Sequence, residues 1–463
     1  MDGKQLDNTE AFHQVIPVTN SPISATFYLY KKERREEERP ESKLLDSLGP
    51  ISYHGDPDQE RPNTFLDARI LDSHTDHFRT GGPELKFEIQ QEELQKALDV
   101  IANVVPAKTT LPILTCVLME AEGGQLKLSA TNLDISITTS TQNVDIKDEG
   151  RIALPADKFV SFVRTLRDGT VSFAQKGEKI NLSCGSARMT QNTMNVEEYP
   201  ALKELEEKGG LDIEAATLIE MINETSYSVS RDETRPALMG INWEITPDSL
   251  TLVATDAHRL ARSRRAMGWT FNETKSMIVD TAGLRQLPRI VAGMKDDEES
   301  SGNVTVFLGE NQLSFRAGQT VLHARLLEGP FPDYNAVIPK DNDKDVTVDK
   351  SDLGQAIRRV SIMADRITSQ IRMGVESGRM EMSANGADGA RSEDEIAVGY
   401  EGEAMEIGFN FNYLQDILKN IKAETVIMSL KDSQSAALIK PVSEDGQETG
   451  LLCLLMPLRL AGE

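Results

Sequence analysis

Long apolar runs are missing from this 463-residue chain, and nothing in it approaches the ~18 consecutive apolar residues of a membrane-spanning helix. The first residues, Met1-Asp-Gly-Lys-Gln-Leu-Asp-Asn8, lack the basic and then apolar character of a signal peptide. Cysteine is scarce. Cys116, Cys184 and Cys453 stand singly, an odd number with no metal-ligand spacing, which points to a reducing cytoplasm and to buried, inert thiols. No Gly-x-x-x-x-Gly-Lys-Ser/Thr loop is present for nucleotide phosphates, and no Gly-x-Gly-x-x-Gly follows a strand. Gly-x-Ser-x-Gly and His-Glu-x-x-His are absent as well. Histidine is nearly confined to the first 84 residues, leaving only His258 and His323 for acid–base chemistry elsewhere. Carboxylates are dispersed without recognisable pairing. The expectation is therefore no catalytic residue, no metal and no cofactor.

Positive charge is also in short supply: 50 Lys and Arg against 74 Asp and Glu give a net charge of −24. Phosphate binding needs a basic surface, so simple adsorption to nucleic acid is disfavoured unless the cations gather on one confined face. Hydrophobic content of 39 % and charged content of 27 % suit a soluble globular chain, long enough for three domains of ~100–200 residues.

What is present is a phrase written three times. Leu126-Lys-Leu-Ser-Ala-Thr-Asn132, Leu250-Thr-Leu-Val-Ala-Thr-Asp256 and Met380-Glu-Met-Ser-Ala-Asn-Gly386 share an alternating apolar run, then Ala and a polar turn. The copies begin 124 and 130 residues apart. Alternation describes a strand with one buried face. The period is too long for a solenoid unit of roughly 20–50 residues and fits a whole small domain. The expected domains are 85–206, 207–340 and 341–463.

Each third repeats the same order of elements. An early helix is predicted from Leu94, Ala97, Leu98, Ile101, Val104 and Val105 in the first copy. Leu218, Met221, Ile222 and Thr225 predict it in the second, and Leu353, Ala356, Ile357, Val360 and Met363 in the third. A second helix follows at Phe159, Phe162, Val163 and Leu166; at Leu284, Leu287 and Val291; and at Leu414, Ile417, Leu418 and Ile421. Pro288 should delay or kink the middle one. The fold class is α+β, two helices on antiparallel sheets in each of three tandem copies. Opposite the apolar stripes lie Lys96; Lys158, Arg164 and Arg167; Arg285 and Arg289; Arg358 and Arg359; and Lys419 and Lys422. A solvated face explains any one of these. The same bias on five of six helices is harder to dismiss, and the first helix of the middle copy is the acidic exception.

Thr110-Leu-Pro-Ile-Leu114, Ala254-Thr-Asp-Ala-His-Arg-Leu-Ala261, Phe331-Pro-Asp-Tyr334, Met405-Glu-Ile-Gly-Phe-Asn410 and Met456-Pro-Leu-Arg-Leu460 together resemble the bacterial DNA polymerase III beta subunit, the sliding clamp. The resemblance runs in order from Leu85 to Leu460. It implies a cytoplasmic, non-catalytic processivity factor whose head-to-tail homodimer closes as a ring around double-stranded DNA. Implied partners are the polymerase III alpha subunit, the clamp loader and other replication and repair proteins. The cations above, with Lys108, become the DNA-facing set. A partner-peptide pocket between the second and third domains is implied at Leu238, Thr255, Ala257, His258, Arg259, Leu260, Pro332, Val337, Tyr413, Leu454, Leu455, Met456, Pro457, Leu458 and Arg459. The dimer contact is implied at Met189, facing Leu353 and Ile357.

Several positions depart from the family. Ala257 replaces a usual Gly, Gln191 stands where the dimer contact is usually apolar, and Val279-Asp-Thr-Ala282 replaces a commonly basic segment. Ala461-Gly-Glu463 runs past the usual end, toward the pocket. Residues 1–84 have no counterpart: they carry the run Lys31-Lys-Glu-Arg-Arg-Glu-Glu-Glu-Arg39 and no repeat. Leu85-Lys-Phe87 stands where the family has Met-Lys-Phe, so the native chain is expected to begin at position 85, a genuine disordered tail being the rival reading. His74 and His77 with Asp72 and Asp76 imitate a metal site without supporting ligands. Two other function classes compete with the clamp: an enzyme on nucleic acid using His258 and Asp256, and a scaffold that binds proteins only.

Overall fold

Three times the chain runs strand, helix, strands, helix, strands. The computed structural model describes residues 84–269, 273–294, 302–443 and 449–460. In the first copy the helices are α1 (Gln91–Ile101) and α2 (Ala156–Thr165). In the second they are α3 (Ala215–Ser226), then α4 (Thr281–Leu284) and α5 (Leu287–Met294), and in the third α6 (Lys350–Val360) and α7 (Phe411–Asn420). The residues predicted for the second helix of the middle copy, Leu284, Leu287 and Val291, thus fall on a helix broken just before Pro288. The proline sits second in α5, where its missing N–H leaves no intrahelical bond unmade.

Sequence marks several helix ends. Asp349 accepts the Asp352 N–H at 2.8 Å to cap α6, Asn410 accepts that of Asn412 at 2.9 Å before α7, and Asp280 accepts that of Ala282 at 2.7 Å before α4. Arg358 and Arg359 in the last turn of α6 complement its dipole. Val104 and Val105 lie beyond the end of α1, contrary to their spacing, because Pro106 biases the residue before it away from helix.

Three antiparallel sheets form. A five-stranded sheet belongs to the first copy and ends in the strand Ala187–Asn192. A four-stranded sheet belongs to the third and ends in Arg391–Ala397. The third sheet, of sixteen strands, passes through all three copies. It crosses from the first to the second where Thr320–Leu327 pairs with Ile135–Thr141, and from the second to the third where Arg259–Ala266 pairs with Leu451–Leu455.

The helices bury their apolar stripes against these sheets. Leu94, Leu98, Phe159, Leu218 and Met221 join one core with Trp243 and Phe315, while Leu353, Ile357, Leu414 and Ile417 form a separate core in the third copy. Each fully buried Leu or Ile contributes roughly 1.5–3 kcal/mol.

His323, on the strand Thr320–Leu327 of the large sheet, is buried. His323 Nδ1 lies 2.8 Å from Ser314 Oγ. Burial, then the nearby positive charge of Lys203, push its pKa below the ordinary value. The unfolded chain therefore takes up this proton first as pH falls, and stability present above about pH 6.5 is lost below it. Chemical denaturation from pH 7 to pH 5 should show His323→Gln losing less stability than wild type, by at most about 1.4 kcal/mol per pH unit.

Candidate functional site

The second copy of the repeated phrase ends in a hydrogen-bonded turn that builds one wall of the junction between the second and third copies. Thr255 Oγ1 donates to Arg259 O at 2.7 Å, and Asp256 Oδ1 accepts the N–H groups of His258 and Arg259 at 2.9 and 3.0 Å. Ala257 has φ 76°, the left-handed region, which explains why glycine suits this position. The turn presents His258 to solvent and buries Arg259.

Arg259 ties the two copies together. Its Nε donates to Asp256 at 3.1 Å and its Nη1 to Asp416 of α7 at 2.7 Å. The guanidinium lies 4.5 Å from the centre of the Tyr413 ring and 5.4 Å from that of Tyr227. His258 stacks on Tyr413 with ring centres 6.2 Å apart, and its carbonyl accepts the Met456 N–H at 2.9 Å. Asp256 is thus engaged by its own turn and by Arg259. It directs no hydrogen bond to the His258 ring, so the pair has the form of a turn and not of an acid–base couple.

Below this rim lies an apolar floor. Leu260, Leu454 and Tyr334 pack with Val253, Leu438 and Leu452, and Phe331 packs against them. Leu238 closes a short turn nearby and is buried, whereas Pro332, Val337 and Met456 are exposed. The last residues are held by backbone: Leu458 N donates to Gly408 O at 2.8 Å, and Gln370 Nε2 donates to Arg459 O at 2.9 Å. Pro457, just before them, is half-buried. Leu455 is a correction. It belongs to the core of the third copy and not to the groove, because alternation along Leu451–Leu455 sends Leu452 and Leu454 one way and Leu455 the other. Tyr227, Phe331, Tyr334 and Asp416 were missed, although Phe331 and Tyr334 stand in a motif already singled out.

The implied dimer contact at Leu353 and Ile357 is not an outer surface either: both residues are 0 % exposed inside the third copy's own core. The exposed apolar side chains lie just past α6: Ile362 at 73 %, Met363 at 42 % and Ile367 at 93 %. The turn Ser361–Met363 packs on the free strand Arg391–Ala397. Met189 is half-buried on the other free strand, and Gln191 beside it turns inward to donate to Pro155 O at 2.8 Å.

The cations divide into two groups. Lys96 pairs with Glu92 at 3.1 Å, Arg164 with Asp99 at 2.5 Å, Arg359 with Asp394 at 2.5 Å and Lys422 with Glu220 at 2.7 Å. Lys108, Lys158, Arg167, Arg285, Arg289, Arg358 and Lys419 are exposed, with no ion-pair partner among the described residues. The acidic α3 is largely neutralised from within. Glu224 accepts from Ser263 Oγ at 2.6 Å and from Arg265 Nη2 at 3.0 Å, while burial pushes its pKa up against those bonds. Asp280 serves as a cap in the segment that replaces a basic one.

Cys116, Cys184 and Cys453 are all buried, and burial pushes the Cys453 thiol up to about 12 and that of Cys116 to about 11. Among the described residues no three His, Cys, Asp or Glu side chains gather in a metal-holding group. His74, His77 and the tail Ala461–Glu463 lie outside the described residues.

Three copies of one α+β unit sharing a continuous sheet, with a cluster of arginine and aromatic side chains over buried leucines at a junction, define a tandem-domain scaffold of the clamp class. Family models for the DNA polymerase III beta subunit match in order: the N-terminal domain at residues 85–203, the central domain at 212–333 and the C-terminal domain at 335–457. The beta sliding clamp of Pseudomonas putida is 30 % identical over 377 residues, covering 81 % of this chain and all of that protein. The crystal structure of the Pseudomonas aeruginosa clamp in its griselimycin complex matches with a TM-score of 0.75 at 30 % identity, over 81 % of this chain and all of that one. The beta subunit structure from Thermotoga maritima matches at 0.74 and 26 % identity, with the same coverage. The chain belongs to the DNA polymerase III beta subunit family, the bacterial sliding clamps, a non-catalytic processivity subunit of the replicative polymerase.

Core and surface apolar residues beside α6 should separate cleanly in solution. Ile357→Ala should cost about 2–5 kcal/mol of stability by leaving a cavity. Ile362→Asp should leave the melting transition nearly unchanged and lower the mass seen in analytical ultracentrifugation. A stable Ile357→Ala variant that dissociates instead would return that residue to the interface.

Proposed function

We propose that two copies of this chain, each built of domains 85–206, 207–340 and 341–463, close head to tail into a ring around double-stranded DNA. The observation that carries this reading is the pair of unpartnered sheet edges. Ala187–Asn192 in the first domain and Arg391–Ala397 in the third are terminal strands, and the second lies beside exposed Ile362, Met363 and Ile367. An unpaired strand edge is a ready template for another strand. Joining the first-domain edge of one copy to the third-domain edge of the next satisfies both and covers the apolar patch.

Within such a ring the unpaired cations on the helices meet phosphates by charge alone. Contacts of that kind carry no sequence information and permit sliding. A net charge of −24 opposes adsorption of DNA to other surfaces. Topology then does the holding, which needs no catalytic group. Arg359 and Lys422, committed to Asp394 and Glu220, should matter less to DNA than Arg358 and Lys419.

The groove between the second and third domains serves partners. An apolar floor of Leu260 and Leu454 under a rim of His258, Tyr413 and Met456 suits a short peptide with hydrophobic anchors. The polymerase III alpha subunit, the clamp loader and other replication and repair proteins are its proposed occupants.

Two measurements test the reading. Clamp loaded on closed circular DNA should be retained through gel filtration and lost within minutes of linearising the circle, even at low salt. Retention on the cut DNA would mean direct affinity in place of encirclement. Deleting Met456–Leu460 should abolish stimulation of the polymerase while leaving the dimer intact by ultracentrifugation. Full stimulation by the truncated chain would remove the groove from the mechanism.

A further inference from the structure

The first two domains meet in the same way as the second and third. At the later junction Leu260 lies opposite Leu454, which lies opposite Leu438 on its other side. At the earlier one Ser136 lies opposite His323, which lies opposite Ser314. The turns match atom for atom. Thr131 Oγ1 donates to Ile135 O at 2.8 Å, Asn132 Oδ1 accepts from Asp134 and Ile135 N–H groups, and Leu133 has φ 80°. Arg325 N donates to Asp134 O at 2.9 Å, as Met456 N does to His258 O. Ser136, His323 and Ser314 thus stand in register where the later groove has Leu260, Leu454 and Leu438.

In place of an apolar floor, this junction holds a cavity of about 680 Å³. That is within the roughly 300–1,000 Å³ of small-ligand sites. His323 lines it, and its Nε2 has no hydrogen-bond partner among the described residues. The Gln312 amide Nε2, a donor, lies 3.4 Å from Nδ1 and favours the tautomer in which Nδ1 accepts and Nε2 carries the hydrogen. Lys203 also lines the cavity and is the charge that His323 feels. At the lip Leu133 is 57 % exposed in a left-handed conformation that costs a residue with a Cβ about 1–2 kcal/mol. The turn's hydrogen bonds hold that conformation while over half of the side chain stays uncovered among the described residues, and backbone strain of this kind clusters at ligand clamps.

We propose that this cavity is a second peptide site, taking an extended partner segment that sets one carboxylate beside one apolar side chain. The carboxylate is received by Lys203 and the His323 Nε2–H, and the apolar side chain lies on Leu133 and Met277. Of the other charged groups in the lining, Asp134 and Arg325 pair with each other at 3.5 Å, while Glu310 and Glu328 repel a second acid, so the ligand is not an acidic run. Apart from Phe331, which also packs against the later cluster, the site stands on its own residues and does not require peptide binding at the later junction.

Photo-crosslinking of the full chain tests it. The probe is a pool of acetylated, amidated pentapeptides with a central Leu-Asp, one benzophenone flank and randomised remaining positions; a Leu-Asn pool is the control. Mass spectrometry should place Leu-Asp cross-links on the segments bearing Leu133 and Met277, at least tenfold above the control. Lys203→Glu and His323→Leu should each reduce them at least tenfold, while deletion of Met456–Leu460 leaves them in place. His323→Leu reproduces the lining of the later junction, and Lys203 is exposed, so both variants should fold. Absence of cross-links at this cavity, equal labelling by both pools, or labelling indifferent to both substitutions would each overturn the site.

Discussion

Strand pairing across the domain junctions is the constraint on which the rest of this structure depends. Two ladders, Ile135–Thr141 with Thr320–Leu327 and Arg259–Ala266 with Leu451–Leu455, join three small domains through one shared sheet. Each register also decides which side chains meet at its end. A slip of one residue would send Leu454 to the core and Leu455 to the groove, reversing the character of both. The Arg259 network adds a polar clasp over the second ladder. Its guanidinium is nearly buried between two aromatic rings and two carboxylates, so it has little freedom to choose another arrangement.

Much of this was legible beforehand. The threefold phrase located three strands, and the apolar spacing located the helices, because both signals are local and repeat with the period of their element. The Pro288 break was legible for the same reason. What resisted was everything set by distant pairing. No local pattern says that Leu451–Leu455 continues the strand Arg259–Ala266, and the five-residue apolar run hides which alternate residues face the groove. Asp416 could not have been matched to Arg259 without that pairing.

The dimer contact is more instructive. Leu353 and Ile357 already stood in the apolar stripe of a predicted helix, which argues for core, and the resemblance moved them to an interface. The physical reading was the better guide. Charge shows the converse. Counting cations on helix faces treats Arg359 and Arg358 alike, yet one is claimed by Asp394 on a neighbouring strand and the other is not. A helical wheel does not see a carboxylate supplied by a sheet.

The three buried thiols have a practical meaning. They are all the cysteines of the chain; burial hides every one of these sulfurs from solvent and disfavours the thiolates of Cys116 and Cys453, on which alkylation and oxidation depend. An engineered cysteine at an exposed strand position away from both edges, such as Lys127, would therefore be the one readily labelled sulfur in the folded protein. The fold arrives with a chemically silent background, against which a dye or a cross-linker reports its own position without any native residue having to be removed.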